Sequence, residues 1–220
     1  MIEKRCFAVL GLGIFGITVS KKLSELGHEV IAIDDNMDLV QEVENDVESA
    51  IQGNITDIRV LKEAGVKNCD VAIIATGTHL EESLLCVLNL KELGVPYIVA
   101  KAKGNQQEQI LLKMGVDKVV RPEKEMGLQL AKLLSNQNLI DMKDIDEINS
   151  LIEVDIFKSW IGKSLFELDV RNKYGLNVLG IKHENGFLDL TPSPKHTFKE
   201  KEHLLFVANE EILNKIKNIK

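Results

Sequence analysis

Three glycines in the hexapeptide GLGIFG, Gly11, Gly13 and Gly16, follow the apolar run CFAVL, and the acidic pair Asp34–Asp35 closes the next apolar run. A strand that ends in glycines and opens a helix brings unpaired backbone N–H groups and the positive end of the helix to one point. Phosphate charge is held there. Gly11 permits the tight turn, Gly13 lets the backbone approach a pyrophosphate, and Gly16 lets the helix pack on the strand, with Ile14 and Phe15 between them. Asp34 can accept hydrogen bonds from both ribose hydroxyls of an adenosine, and its charge disfavours a 2′-phosphate, which argues against NADP.

That chemistry needs a parallel sheet to position it, and the first ~135 residues alternate strand and helix signals in the required way. Strands are predicted at 6–11, 29–34, 49–54, 70–76, 96–102 and 117–122, with helices at 14–26, 36–45, 57–66, 79–94 and 105–115 between them. The expected architecture is an α/β, Rossmann-like doubly wound sheet with strand order 3-2-1-4-5-6. Its other strand ends should line the same crevice: Asn54, Ile55 and Thr56, then Ala75, Thr76, Gly77 and Thr78, then Lys101. Thr76 and Thr78 offer hydroxyls, Gly77 permits close approach, and Lys101 can neutralise a phosphate. Asn54 and Thr56 serve equally as helix-cap residues, and His79 reads as a helix start.

After Pro122 the pattern changes. A helix is predicted over 123–142, drifting into polar residues around Ser135–Asn138, and 144–150 reads as an acidic stretch. Strands at 151–157, 177–183 and 203–209, helices at 164–175 and 210–218, and an Asn185–Gly186 hairpin turn describe a small α+β module. The organisation expected is a nucleotide-binding domain over 1–135, a linker over 136–148 and a second domain over 149–220.

Composition excludes several classes. A formal net charge of −7 argues against nucleic acid or anionic lipid as the main partner. No run approaches the ~18 apolar residues of a membrane span. The basic–apolar start imitates a signal peptide, but it continues straight into the glycine fingerprint, so a cytoplasmic location is expected. The three cysteines form no C-x-x-C pair and read as buried thiols, and the five histidines lack metal-ligand spacing. A dehydrogenase would need a substrate clamp and a proton donor, for which the last ~70 residues offer no constellation. His183, His196 and His203 are isolated in sequence, and Arg171 has no obvious catalytic partner. An NAD-dependent oxidoreductase and a redox-sensing regulator remain the alternatives.

Five stretches carry a family resemblance: FAVLGLGIFG (7–16), LGHEVIAIDDN (26–36), LKELGVPYIVAKA (90–102), RPEKEMG (121–127) and LDVRNKYGLNVLGIKH (168–183). The chain resembles, over nearly its whole length, the cytosolic gating subunits of bacterial potassium uptake systems, the KtrA/KtrC and TrkA group built from RCK domains. The resemblance implies a non-enzymatic subunit with an RCK_N and an RCK_C (TrkA-C) domain. It implies homodimers assembled into an octameric ring beneath a membrane potassium channel subunit. It also implies ATP or ADP in the crevice, or NAD(H) as in the TrkA branch.

By resemblance, the nucleotide positions are Gly11, Gly13, Gly16, Asp34, Asn36, Asn54, Thr56, Gly77 and Lys101. Glu123 matches a carboxylate that helps bind a cation near the phosphates, where hard oxygen ligands suit Mg²⁺, Ca²⁺ or Na⁺. It reads equally as a helix-start acid. Ktr relatives commonly carry Arg where this chain has Ile14, which leaves the choice among ATP, ADP and NAD(H) open. In the C-terminal domain the resemblance implies a cyclic di-AMP site at Leu165, Phe166, Arg171 and Asn177, with Pro192 and Pro194 nearby. Leu165 and Phe166 as core residues, with Arg171 on the surface, is the competing reading.

Overall fold

The computed structural model describes residues 3–77, 79–135, 139–146, 148–216 and 219; Thr78 and Asn136–Asn138, singled out above, lie outside the described residues. The chain forms two compact units that divide between Lys124 and Glu125.

The first unit is the expected parallel sheet. Strands β1 (Cys6–Leu10), β2 (Glu29–Asp34), β3 (Ser49–Gln52), β4 (Val71–Ile74), β5 (Tyr97–Lys101) and β6 (Lys118–Val120) stand in the order β3-β2-β1-β4-β5-β6. Helices α1 (Ile14–Glu25), α2 (Met37–Val43), α3 (Ile58–Glu63), α4 (Leu80–Glu92) and α5 (Asn105–Lys113) connect them. β1 and β4 read as continuous apolar runs because both faces are covered. Ala8 and Leu10 of β1 pack in one buried cluster with Ala72 and Ile74, while Phe7, Val9, Val71 and Ile73 pack in the cluster on the other side. Leu10 pairs with Ile33 on one flank and Ile74 on the other, so β1, β2 and β4 end level. Their loops therefore open at the point where the winding direction reverses.

The second unit begins within α6 (Pro122–Leu134) and holds an antiparallel sheet. Its strands are β7 (Leu139–Asp144), β8 (Asn149–Asp155), β9 (Asn177–Lys182), β10 (Leu188–Asp189) and β11 (His203–Asn209), in the order β10-β9-β11-β8-β7. The single helix expected over 123–142 is instead a helix and a strand. α6 ends at Leu134, and Leu139–Asp144 is a strand paired with β8, inside the stretch read as a linker. The strand satisfies its backbone on a neighbour that no local pattern announces. Only Met142 of β7 is buried.

The helix expected over 164–175 is two pieces, α7 (Leu165–Leu168) and α8 (Val170–Tyr174), because Asp169 takes a left-handed conformation, φ 47°. Ser164 and Glu167 cap α7 reciprocally. α9 (Glu210–Ile216) closes the unit, whose core is built on Trp160, Phe198 and Phe206. Among the described residues no helix is long and apolar enough to cross a membrane.

A candidate nucleotide crevice and a second pocket

The glycine turn is built on contact. Gly11 sits at φ 97°, and a Cβ there would stand 2.6 Å from the Thr76 methyl. A Cβ on Gly16 would stand 2.0 Å from the Gly11 carbonyl oxygen and 3.2 Å from the Ala75 Cβ. Strand end, turn and helix are thus closed around two positions that admit no side chain. At Gly13, which caps α1 without a side-chain hydrogen bond, a Cβ would meet nothing within 4 Å. The N-terminus of α1 is open above it. Gly77 differs from expectation, since a Cβ there would make ordinary 3.5 Å contact with the Lys101 stem.

Asp34 at the end of β2 is held by the backbone. Its Oδ2 accepts from Leu12 N–H at 2.6 Å and its Oδ1 from Asn36 N–H at 2.9 Å. The carboxylate is thereby oriented, with lone pairs left on each oxygen. Asn36 caps α2, its Oδ1 accepting from Asp38 N–H at 3.0 Å. Asn54 accepts from both the N–H and the hydroxyl of Thr56, at 2.8 and 2.7 Å, so these two shape a turn at the crevice wall. Asp34, Asp35, Asn54, Ile55, Thr56 and Thr76 line one cavity of about 150 Å³ together with Glu82, which the sequence reading missed. Whole-ligand sites run to roughly 300–1,000 Å³. This cavity is therefore the size of one part of such a ligand, and Gly13 is not among its lining residues. Thr76 Oγ1 is buried and has no hydrogen-bond partner among the described residues.

Lys101 ends β5 outside that cavity, its side chain only 14% exposed. Its Nζ lies 2.6 Å from Oε1 of the exposed Glu123 and 5.8 Å from the centre of the Phe15 ring. The Lys101 ammonium, helped by Glu123's own backbone N–H, holds the Glu123 carboxyl below the usual carboxylate range. Ile14, 89% exposed at the first position of α1, presents an apolar side chain beside the turn.

In the second unit Leu165, Phe166 and Arg171 line a separate cavity of about 370 Å³ with Asp169 and Val170. Asn177 and Pro192 are not among its lining residues. Phe166 is 76% exposed and so is not a core residue, whereas Leu165 is half-buried against the core. The left-handed Asp169 breaks the helix between Phe166 and Arg171, and that corner forms the pocket.

A doubly wound parallel sheet followed by a small antiparallel module defines the class. The TrkA-N domain matches residues 7–122 and the TrkA-C domain residues 151–220. The chain is 34% identical to Ktr system potassium uptake protein A of Bacillus subtilis, covering 99% of this chain and 97% of that protein. Ktr system potassium uptake protein C of the same organism is 41% identical, over 81% of each chain. Among solved structures, the GsuK channel superposes with a TM-score of 0.68 at 19% identity, covering 99% of this chain and 40% of that one. A GsuK channel bound to NAD gives 0.65. The chain therefore belongs to the TrkA-N/TrkA-C family of potassium uptake proteins.

Proposed function

We propose that this protein is the nucleotide-sensing subunit of a Ktr/Trk-type potassium transporter. It works in the cytoplasm, gates a membrane channel subunit and catalyses no reaction. The observation that carries the reading is the joint one: 34% identity to Ktr protein A over 99% of the chain, and an open helix N-terminus at Gly13 together with an oriented Asp34. ATP and ADP are the proposed ligands, held by Gly11, Gly13, Gly16, Asp34, Asn36, Asn54, Thr56 and Lys101. A nucleotide can shift the subunit between two conformations only by binding one of them more tightly. Homodimers gathered into an octameric ring would pass that shift to the channel.

A cation at Glu123 would have to displace the Lys101 ammonium, 2.6 Å away, or share the carboxylate with it. Cyclic di-AMP is proposed for the pocket at Phe166 and Arg171, where an exposed ring offers stacking and a guanidinium suits a phosphate. NAD(H) is the second reading for the crevice. Ile14 favours it, since an apolar side chain supplies no contact to a terminal phosphate.

Calorimetry with ATP, ADP and NADH tests the crevice, and potassium flux through vesicles carrying the membrane partner tests the gating. ATP and ADP should bind within about tenfold of each other, and Ile14→Arg should favour ATP, a charge-assisted phosphate bond being worth roughly 1.5–3 kcal/mol. A hundredfold preference for ATP in the unaltered chain would mean that another cation reads the terminal phosphate.

A further inference from the structure

Two histidines that lie apart in sequence meet one buried carboxylate in the second unit. Glu202, its side chain 4% exposed, accepts from His183 Nδ1 at 2.8 Å through Oε1 and from His196 Nε2 at 2.9 Å through Oε2. The Lys199 N–H adds a third bond, at 3.0 Å to Oε2. The residue before Glu202, Lys201, takes a left-handed conformation at φ 63°, uncommon for a side chain of its kind. The turn accepts that cost while carrying Glu202 inward.

We propose that His183, His196 and Glu202 form a binding site for a transition-metal dication of the Zn²⁺ class. Metal–ligand bonds to imidazole nitrogen and carboxylate oxygen are ~2.0–2.2 Å. Two such atoms at the tetrahedral angle about one ion then stand about 3.3–3.6 Å apart, by the same bond lengths. The observed contacts, 2.8 and 2.9 Å to the two different carboxylate oxygens, are hydrogen bonds that widen by about 0.5 Å to reach that spacing, and one ligand atom from each residue can be chosen so that all lie within 4.8 Å of one another. Without metal each ring N–H points at a carboxylate oxygen. With metal each ring shifts that proton to its other nitrogen, or releases it if charged, and turns a lone pair to the ion. Lys199 N–H keeps its bond to Glu202 and orients it. His183 remains 28% exposed, so water can complete the coordination. Two imidazoles with one carboxylate favour Zn²⁺, Co²⁺ or Ni²⁺ over the hard ions Mg²⁺ and Ca²⁺.

The test uses the full untagged chain, stripped with chelator and titrated with Zn²⁺, Co²⁺ and Mg²⁺ by calorimetry. Expected are one Zn²⁺ or Co²⁺ per chain and no Mg²⁺ heat that competes with it. His183→Gln and His196→Gln should each weaken Zn²⁺ binding by more than about tenfold, as even hydrogen-bond partners of metal ligands are worth that. His203→Gln, outside the cluster, should not. Proton NMR of the unaltered Co²⁺ form should show two strongly shifted, exchangeable imidazole N–H signals, a readout that needs no variant to fold. Zn²⁺ binding only in the millimolar range, affinity unchanged in both variants, or no shifted imidazole signals would overturn the site.

Discussion

An added methyl has opposite consequences at two glycines of one turn. At Gly16 it would collide with the Gly11 carbonyl oxygen at 2.0 Å, a backbone atom that cannot swing aside. Gly16→Ala should therefore destabilise the first unit by about 1–3 kcal/mol, the usual cost of overpacking, read as a lowered melting temperature. At Gly13 the methyl meets open space, so Gly13→Ala should keep the melting temperature within a few degrees. Calorimetry should nevertheless show ATP and ADP binding lost or strongly weakened, because the methyl stands where phosphate must approach the N–H groups. Equal affinity in Gly13→Ala and the unaltered chain would remove the turn from the site. These glycines were legible in the sequence because their role is local. Glu82 was not, because it reaches the cavity only through the course of α4. His183, His196 and Glu202 meet only once β9, the 196–202 loop and β11 have packed.

Elements divide along the same line. β1, β2 and β4 could be read as buried strands because helices on both faces demand unbroken apolar runs. β7 could not, since its sequence LIDMKD follows a helical pattern and its identity as a strand is conferred by β8. On β8, Glu153 accepts from His203 Nδ1 of β11 at 2.6 Å and from Lys182 Nζ of β9 at 3.0 Å, and so joins three strands. Burial pushes its carboxyl up, but the bonds from His203 and Lys182 outweigh it and leave it below its ordinary 4.5. The folded form thus holds its charge more firmly than the unfolded one. The resulting stability is present above pH 4.5 and is lost as pH falls through the lower folded value. Melting curves recorded downward from pH 6 should show the unaltered chain losing stability below that point. Glu153→Gln should be less stable at pH 6 and less sensitive to acid. Parallel curves for the two proteins would show that the strand-joining carboxylate has no folded-state preference for its charge.

At the scale of the molecule, the two proposed nucleotide sites draw on separate units, the crevice on residues before Lys124 and the second pocket on residues after Glu125. Arg171→Ala in the full chain should lose most cyclic di-AMP binding, more than about tenfold for a charged hydrogen bond, and leave ATP affinity unchanged. Loss of both would mean that Arg171 supports the whole fold. Light scattering with nucleotide present should give a species far above the 24.6 kDa of one chain, and a strict monomer would argue against a ring subunit. The strand order also dictates when the chain can fold during its synthesis. β1 lies between β2 and β4, and its register with β4 pairs Ala8 with Ala72. β2 is made soon after β1, but β4 follows only after α2, β3 and α3. Until the ribosome has released residues as far as Ile74, one edge of β1 has no neighbour, and an unpaired apolar edge invites association with other chains. Nascent chains halted before β4 should thus be the most aggregation-prone lengths of this protein, because the strand that ends at the centre of the sheet spends that interval as its border.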